Sequence, residues 1–204
     1  MHIRSRGWLP VLVLCLAGSL GVGWAQAADA AGQSVTPPTN PGAKQSPAET
    51  VLAAAPRTHW VAQGQGRHLI YIFFDPNCPY CHRLYTDLQP LIKPYSLQLR
   101  WIPVGILTAT SQGKAAAILD AKDPAKALDY NEVHYSMNTH SGGIEEDIPS
   151  AKTVAHLHAN AALLQRTGMS VVPTMVFRAK NGKAMLVQGA PPPKDLKKIL
   201  DAVR

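Results

Sequence analysis

Apolar residues in this chain gather into short runs, separated by longer stretches in which they recur every third or fourth position. The run His68-Leu69-Ile70-Tyr71-Ile72-Phe73-Phe74 is nearly continuous and rich in β-branched and aromatic side chains, the pattern of a strand covered on both faces. Leu97-Gln98-Leu99-Arg100-Trp101-Ile102-Pro103-Val104 predicts a second strand. Between them, Leu84, Leu88, Leu91 and Ile92 fall on one face of a helix that opens at Cys78 and that Pro90 kinks or ends. A strand, a helix and a strand at this spacing predict a βαβ unit with a parallel pair. Val171-Val172-Pro173-Thr174-Met175-Val176-Phe177 reads as a third main strand with a proline near its start. Asn181-Gly182 is a hairpin signal, returning the chain through Lys183-Ala184-Met185-Leu186-Val187-Gln188.

Weaker patterns fill the rest. Ser46-Pro47-Ala48-Glu49 combines an N-cap, a proline at the first helical position and an acidic first turn, and predicts a short helix over 47–55. Thr58-His59-Trp60-Val61 reads as an edge strand, with Gly64-Gln65-Gly66 as the turn after it. Residues 110–167 read as mostly helical. An Ala-rich helix covers 112–121, and Asp123-Pro124 opens another towards Met137. Ser150 caps a long helix that ends near Thr167, with Gly168 as its stop and Val154, Leu157, Ala161 and Leu164 as its buried face. Leu196, Ile199, Leu200 and Val203 mark a closing amphipathic helix. The order is β-α-β, a helical insertion, then β-β-α, an α/β class. His134, His140, His156 and His158 sit singly within the helical region and are assigned no ligand role.

The beginning of the chain is different in kind. Arg4 and Arg6 precede an apolar stretch over 9–20, and Ala25-Gln26-Ala27 forms an A-x-A cleavage site, so residues 1–27 read as a secretory signal peptide that carries Cys15 away. Residues 28–56 hold several prolines and few large apolar side chains, and read as a flexible linker containing the short helix. The remaining 57–204 form one domain, with the helical insertion at about 110–167. Of 204 residues 46% are hydrophobic, enough for an ordinary core. The formal charge of +7 is spread without interleaved aromatics. No nucleic-acid partner is therefore expected, only a solvated basic surface.

The chemistry lies at Cys78-Pro79-Tyr80-Cys81, immediately after the central strand. A helix N-terminus carries unpaired N–H groups and a partial positive charge, and it stabilises a thiolate. Cys78, at that terminus, is expected to be the exposed nucleophile. Cys81 follows one turn later on the same face, in reach of a mixed disulfide on Cys78. Pro79 removes one N–H that would otherwise reach the sulfur, and the helix terminus is expected to outweigh that loss. In an exported chain one close cysteine pair serves exchange better than stapling. A zinc knuckle lacks its second ligand pair. Covalent haem matches Cys78-x-x-Cys81-His82 by motif, yet the motif here closes a buried strand and opens a helix inside an α/β pattern. An inert disulfide across two residues would constrain the unfolded chain little. No metal and no cofactor is expected.

The element order, with C-x-x-C at the first helix and an apolar residue followed by proline before the third main strand, is similar to the thioredoxin fold. Phe74-Asp75-Pro76-Asn77-Cys78-Pro79-Tyr80-Cys81-His82, Leu99-Arg100-Trp101-Ile102-Pro103-Val104-Gly105 and the stretch Ala115-Ala116-Ala117-Ile118-Leu119-Asp120-Ala121-Lys122-Asp123-Pro124 resemble the DsbC/DsbG family of periplasmic thiol:disulfide interchange proteins. The Pro-Tyr pair between the cysteines is similar to DsbG. The resemblance implies Cys78 as nucleophile, Cys81 as resolving thiol, and Val172-Pro173 as a cis-proline loop that, with Pro79 and Tyr80, meets the substrate. It also suggests that Asp75 assists proton transfer from Cys81, against the plain alternative of a turn-capping aspartate.

Two departures from the family stand out. Residues 28–56 are too few and too polar for its N-terminal dimerisation domain, so a monomer is expected. Val172 stands where the family usually has Thr, more like the oxidase DsbA. The implied activity is reduction or isomerisation of client disulfides, or reduction of oxidised cysteines. A monomeric dithiol oxidase is the alternative; a redox-inert chaperone module and a c-type haem protein are more distant ones. The implied partners are client proteins with cysteines and a membrane redox partner, DsbD-like for reducing work and DsbB-like for oxidising work.

Overall fold

The computed structural model describes residues 45–204. The predicted signal peptide and most of the predicted linker lie outside the described residues. Five strands form one mixed sheet in the order β1-β3-β2-β4-β5. The central strand β2 (His68–Phe74) runs parallel to β3 (Leu97–Pro103) and antiparallel to β4 (Thr174–Arg178). β1 (Val61–Gln63) and β5 (Ala184–Gln188) pair antiparallel at the two edges. Ile70 to Phe74 are all buried, as their unbroken apolar run predicts for a strand with layers on both faces. Each such side chain contributes about 1.5–3 kcal/mol on burial. Register brings Ile72 beside Trp101 on one neighbour and Met175 on the other, with Phe74 and Tyr85 packing around the indole of Trp101.

Helices α1 (Pro47–Ala54), α2 (Pro79–Leu88) and α6 (Pro193–Ala202) belong to the layers around the sheet, while α3 (Ser111–Asp120), α4 (Pro124–Val133) and α5 (Ala151–Gln165) form the insertion between β3 and β4. Ser46, Asp123 and Ser150 are side-chain N-caps as their sequence contexts predict, each accepting from the N–H three residues on. No helix among the described residues is long and apolar enough to cross a membrane.

Several boundaries differ from the sequence reading, each for a local reason. The helix placed in the linker is part of the domain: α1 packs on β4 and β5 and buries Val51, and Ala55 follows it into the same core. A 3-10 turn over Ala55–Arg57, closed by Thr58 donating to the Ala55 carbonyl, delays β1 to Val61. α4 stops at Val133 rather than Met137, because Ser136 and Ser141 pair across a small loop there. β4 begins at Thr174, after Pro173, which has no N–H for the ladder. The buried face of α5 is Thr153, Leu157, Asn160, Leu163 and Leu164, while Val154 and Ala161 are half-buried. The apolar period alone misses Thr153 and Asn160, because both are polar.

Asn181-Gly182 turns the chain between β4 and β5, with Gly182 at φ +81°, a conformation side chains resist. Gly66 is fixed for another reason. A Cβ there would lie 1.9 Å from the Ser96 carbonyl oxygen.

Candidate active site

The register of three strands assembles the site. Phe74 pairs with Pro103 at the end of β3, and Phe73 pairs with Thr174 at the start of β4. The turn after β2, the loop after β3 and the loop before β4 therefore meet at one end of the sheet. Val104 N–H donates to the Phe74 carbonyl at 3.0 Å and holds the first two together.

Cys78 is the N-cap of α2, in extended conformation (φ −85°, ψ 116°), with its Sγ accepting from the Cys81 N–H at 3.2 Å. Pro79 is the first helical residue, so the N–H it lacks is not one of those that reach the sulfur; Tyr80 and Cys81 supply them. The Cys78 thiol is held below its ordinary range chiefly by the Cys81 thiol donating to it, against burial, with the N–H groups of Cys81 and Tyr80 adding to the fall and Asp75 opposing it. Cys81 moves the other way, well above its ordinary range, first because it is buried and then because it faces Cys78. Both cysteines are in the free thiol form. The pair is thus split into one sulfur that ionises readily and one that does not.

Cys78 is only 2% exposed, which corrects the expectation of an exposed nucleophile. Its capping rotamer folds the side chain back over the first helical turn, and the Val172–Pro173 loop lies over it, with Val172 O at 3.6 Å from Sγ. The Val172–Pro173 peptide bond is cis. Tyr80, by contrast, is 59% exposed, with the Arg83 guanidinium 5.4 Å from its ring centre. Pro79, Tyr80, His82, Arg83, Met137 and His140 line a shallow, largely apolar groove of about 510 Å³ beside the cysteines. A larger hollow of about 670 Å³, at Trp60, Asp120, Lys152 and the stacked rings of His59 and His156, holds none of the residues named for the site.

Asp75 is wholly buried and serves as a staple. Oδ1 accepts from Asn77 N–H at 2.9 Å and Ser111 Oγ at 2.7 Å; Oδ2 accepts from Ile106 N–H at 2.6 Å and Leu107 N–H at 3.0 Å. Four donors occupy the carboxylate and none comes from a cysteine, so the geometry matches the turn-capping alternative rather than proton transfer from Cys81.

The helical insertion grips the same turn through residues the sequence reading did not single out. Asn131 Nδ2 donates to the Pro76 carbonyl at 3.2 Å and to Glu132 Oε1 at 3.1 Å, and Tyr135 Oη donates to the Asn77 carbonyl at 2.9 Å. Asn77 Oδ1 accepts from Gly142 N–H at 3.1 Å, and Asn77 Nδ2 donates to Thr108 Oγ1 at 2.7 Å. Glu132, 2% exposed, receives His82 Nδ1 at 3.2 Å, with the His82 ring stacked on Tyr135. Burial holds the Glu132 carboxyl above its usual range, while His82 and Asn131 draw it back. No periodic signal pointed to them: Asn131 and Glu132 are polar residues in a helix of weak apolar periodicity.

Comparison with known proteins agrees with this geometry. A family model described as a thioredoxin-like domain matches residues 58–204. The thiol:disulfide interchange protein DsbG of Pseudomonas aeruginosa is 35% identical over 147 residues, which cover 69% of this chain and 55% of that protein. DsbG of Escherichia coli is 31% identical over 150 residues, covering 71% of this chain and 58% of that protein. The chain therefore spans little more than half the length of these relatives. Among solved structures, ScsC of Proteus mirabilis in a transitional conformation superposes with a TM-score of 0.59 at 16% identity, covering 78% of this chain and 80% of the other, a likeness of fold.

Proposed function

Because the chain belongs to the thioredoxin-like family, in the branch of the DsbG and DsbC thiol:disulfide interchange proteins, we propose that it is an exported oxidoreductase that reduces or isomerises disulfides, or reduces oxidised cysteines, in client proteins. The observation that carries this reading is the division of labour in the pair. Cys78 Sγ sits where helix N–H groups and the Cys81 thiol favour its anion, and Cys81 stays protonated behind it.

In the forward reaction the Cys78 thiolate attacks a client disulfide, and one client sulfur leaves as thiolate. The remaining client sulfur is then bonded to Cys78. Either a client thiol attacks and regenerates Cys78, which is isomerisation, or Cys81 attacks Cys78 and releases a reduced client, which is reduction. A client sulfenic acid would enter the same scheme, losing water as it joins Cys78. The Val172–Pro173 loop and the Tyr80 groove are the surfaces assigned to the client segment. The implied electron donor is DsbD-like, and residues 1–27 are assigned to export into the periplasm.

Cys81→Ser tests the scheme. It is expected to accumulate mixed disulfides through Cys78, and Cys78→Ser to abolish exchange; exchange that survives Cys78→Ser would overturn it.

The second reading, a monomeric dithiol oxidase coupled to a DsbB-like acceptor, is favoured by Val172 before the cis bond. The reduction potential separates the two. A value near about −120 mV marks a strong oxidant, and one of about −180 mV or below marks isomerase or reductase work. A size measurement in solution tests the monomer.

A further inference from the structure

α4 lies alongside α2 at the level of the resolving cysteine, and two bonds between them flank it. His82, the residue after Cys81, meets Glu132 at 3.2 Å, and Tyr85, one turn further on, donates to Asp129 Oδ1 at 2.9 Å. Glu132 is almost fully enclosed, and Asn131 and His82 hold both of its oxygens. Burial opposes ionisation of a carboxylate so placed, the His82 and Asn131 bonds support it, and once ionised it is a negative charge in a poorly screened interior. The titratable groups around it are Cys81, His82 and Tyr85 from α2 and Tyr135 from the loop after α4, with Asp129 of its own helix bonded to Tyr85. Of these, His82 alone can carry a positive charge, and it lines the groove beside Tyr80.

We infer that Glu132 is a positioning residue for the second half of the exchange, a brake that slows Cys81 in resolving the mixed disulfide on Cys78, with His82 setting how firmly it is applied. The inference rests on the redox reading above. In the step concerned, Cys81 loses its proton to solvent and its sulfur attacks Cys78 Sγ. The Cys78–Cys81 bond forms as the Cys78–client bond breaks. The client sulfur leaves as thiolate and takes up a proton. The cysteine pair gives up two electrons and the client gains them. Negative charge developing on Cys81 meets the charge already on Glu132, so the attack is slowed and the client's own thiols gain time to compete. Cys78 does not share this control: the groups that set its ionisation are Cys81, Tyr80 and Asp75.

The test is rapid-quench kinetics of the full reduced protein with oxidised glutathione. It resolves formation of the Cys78–glutathione mixed disulfide from its resolution by Cys81. Glu132→Gln keeps the size and hydrogen-bonding capacity of the side chain and removes the charge. Resolution is expected to quicken about threefold at neutral pH, as more Cys81 thiolate forms and its weaker nucleophilicity offsets part of the gain. The first step is expected to be unchanged, and the difference between the proteins to close in acid, where Glu132 is protonated in the parent. His82→Lys leaves Glu132 in place and sets a permanent cation against it; resolution is expected to quicken in this variant too. A resolution rate that is unchanged or slower in both variants, with a normal first step, overturns the brake. A parent protein that forms no mixed disulfide at all overturns the exchange reading and the brake with it.

Discussion

Ser111 Oγ donates to Asp75 Oδ1 at 2.7 Å and completes the set of four donors that ties the turn after β2 to the loop after β3. The consequence is mechanical. The turn that presents Cys78 is held by a carboxylate and not by its own backbone alone. Asp75→Ala would leave the buried Asn77 N–H and the Ser111 hydroxyl without their acceptor, along with the part-buried N–H groups of Ile106 and Leu107, and is expected to cost about 2–4 kcal/mol, from about 1–3 kcal/mol for each buried lost partner with partial relaxation. Urea denaturation of the reduced protein reads this directly. A loss below about 1 kcal/mol would contradict the staple.

How much of this was legible in the sequence depends on what kind of residue is buried. The run from His68 to Phe74, the N-cap position of Cys78 and the Asn181-Gly182 turn are local signals: the residues that form them are neighbours in the chain, and apolar burial leaves a period to read. The β2–α2 unit and the order of elements along the chain followed from them. The grip on the active-site turn is written in Asn77, Asn131, Glu132 and Tyr135, polar residues whose partners lie on other elements. Periodicity has no means of marking a buried polar group. The burial of Cys78 went unread for a related reason, because the covering loop at Val172 arrives from 94 residues away. Asp75 was legible as a residue of interest, and its role was decided only by the backbone of Ile106 and Leu107 arriving from the loop after β3.

The asymmetry of the cysteine pair gives a pH prediction. Alkylation of reduced Cys78 should show a midpoint below about 8.5, the value of a free cysteine. Cys81→Ala, which deletes the largest cause of the lowering, should move that midpoint upward. The sign for stability follows. A thiol whose folded pKa is depressed adds stability to the reduced protein above its unfolded pKa, and this is lost as pH falls through the folded pKa. The stability difference between the reduced parent and Cys78→Ser, followed from about pH 8.5 down to pH 5, isolates this contribution from the opposite one of Cys81; it should decline, and decline less in a Cys81→Ala background. A Cys78 midpoint unmoved by Cys81→Ala would refute the assignment of cause.

Asn160 supplies a second structural test. Its Nδ2 donates to the carbonyls of His59 and Pro103, both at 2.9 Å, and its Oδ1 accepts from His59 N–H at 3.2 Å; Asn160 itself is fully buried, and its two bonds to His59 are part-buried. It thus ties α5 to the approach to β1 and to the end of β3. Asn160→Leu is nearly the same size and satisfies none of these groups, so it is expected to cost about 2–4 kcal/mol. Hydrogen exchange should quicken at His59 before it does in β2, because the lost bonds border β1 and not the centre of the sheet.

α1 was read as part of a linker and is instead seated on the sheet, which makes two contacts separable by pH. Val51 is fully buried, and Val51→Ala is expected to cost about 1–3 kcal/mol through lost apolar contact and an unfilled space. Neither contribution titrates, so this cost should hold steady across the acid range. Glu49 accepts from Arg178 Nη1 at 2.6 Å and from Ala184 N–H at 2.9 Å, and the Arg178 bond is the chief reason its carboxyl lies below the usual range. The pair is partly exposed, so Glu49→Ala is expected to cost no more than about 1 kcal/mol at neutral pH. A depressed carboxyl contributes stability above its unfolded pKa and loses it as pH falls through the folded value. The Glu49→Ala penalty should therefore shrink towards zero as the medium is acidified, while the Val51→Ala penalty persists. Urea unfolding of both variants between pH 7 and pH 3 checks the pair. If the two penalties fell in parallel, α1 would be held by charge alone, and its place in the core would have to be given up.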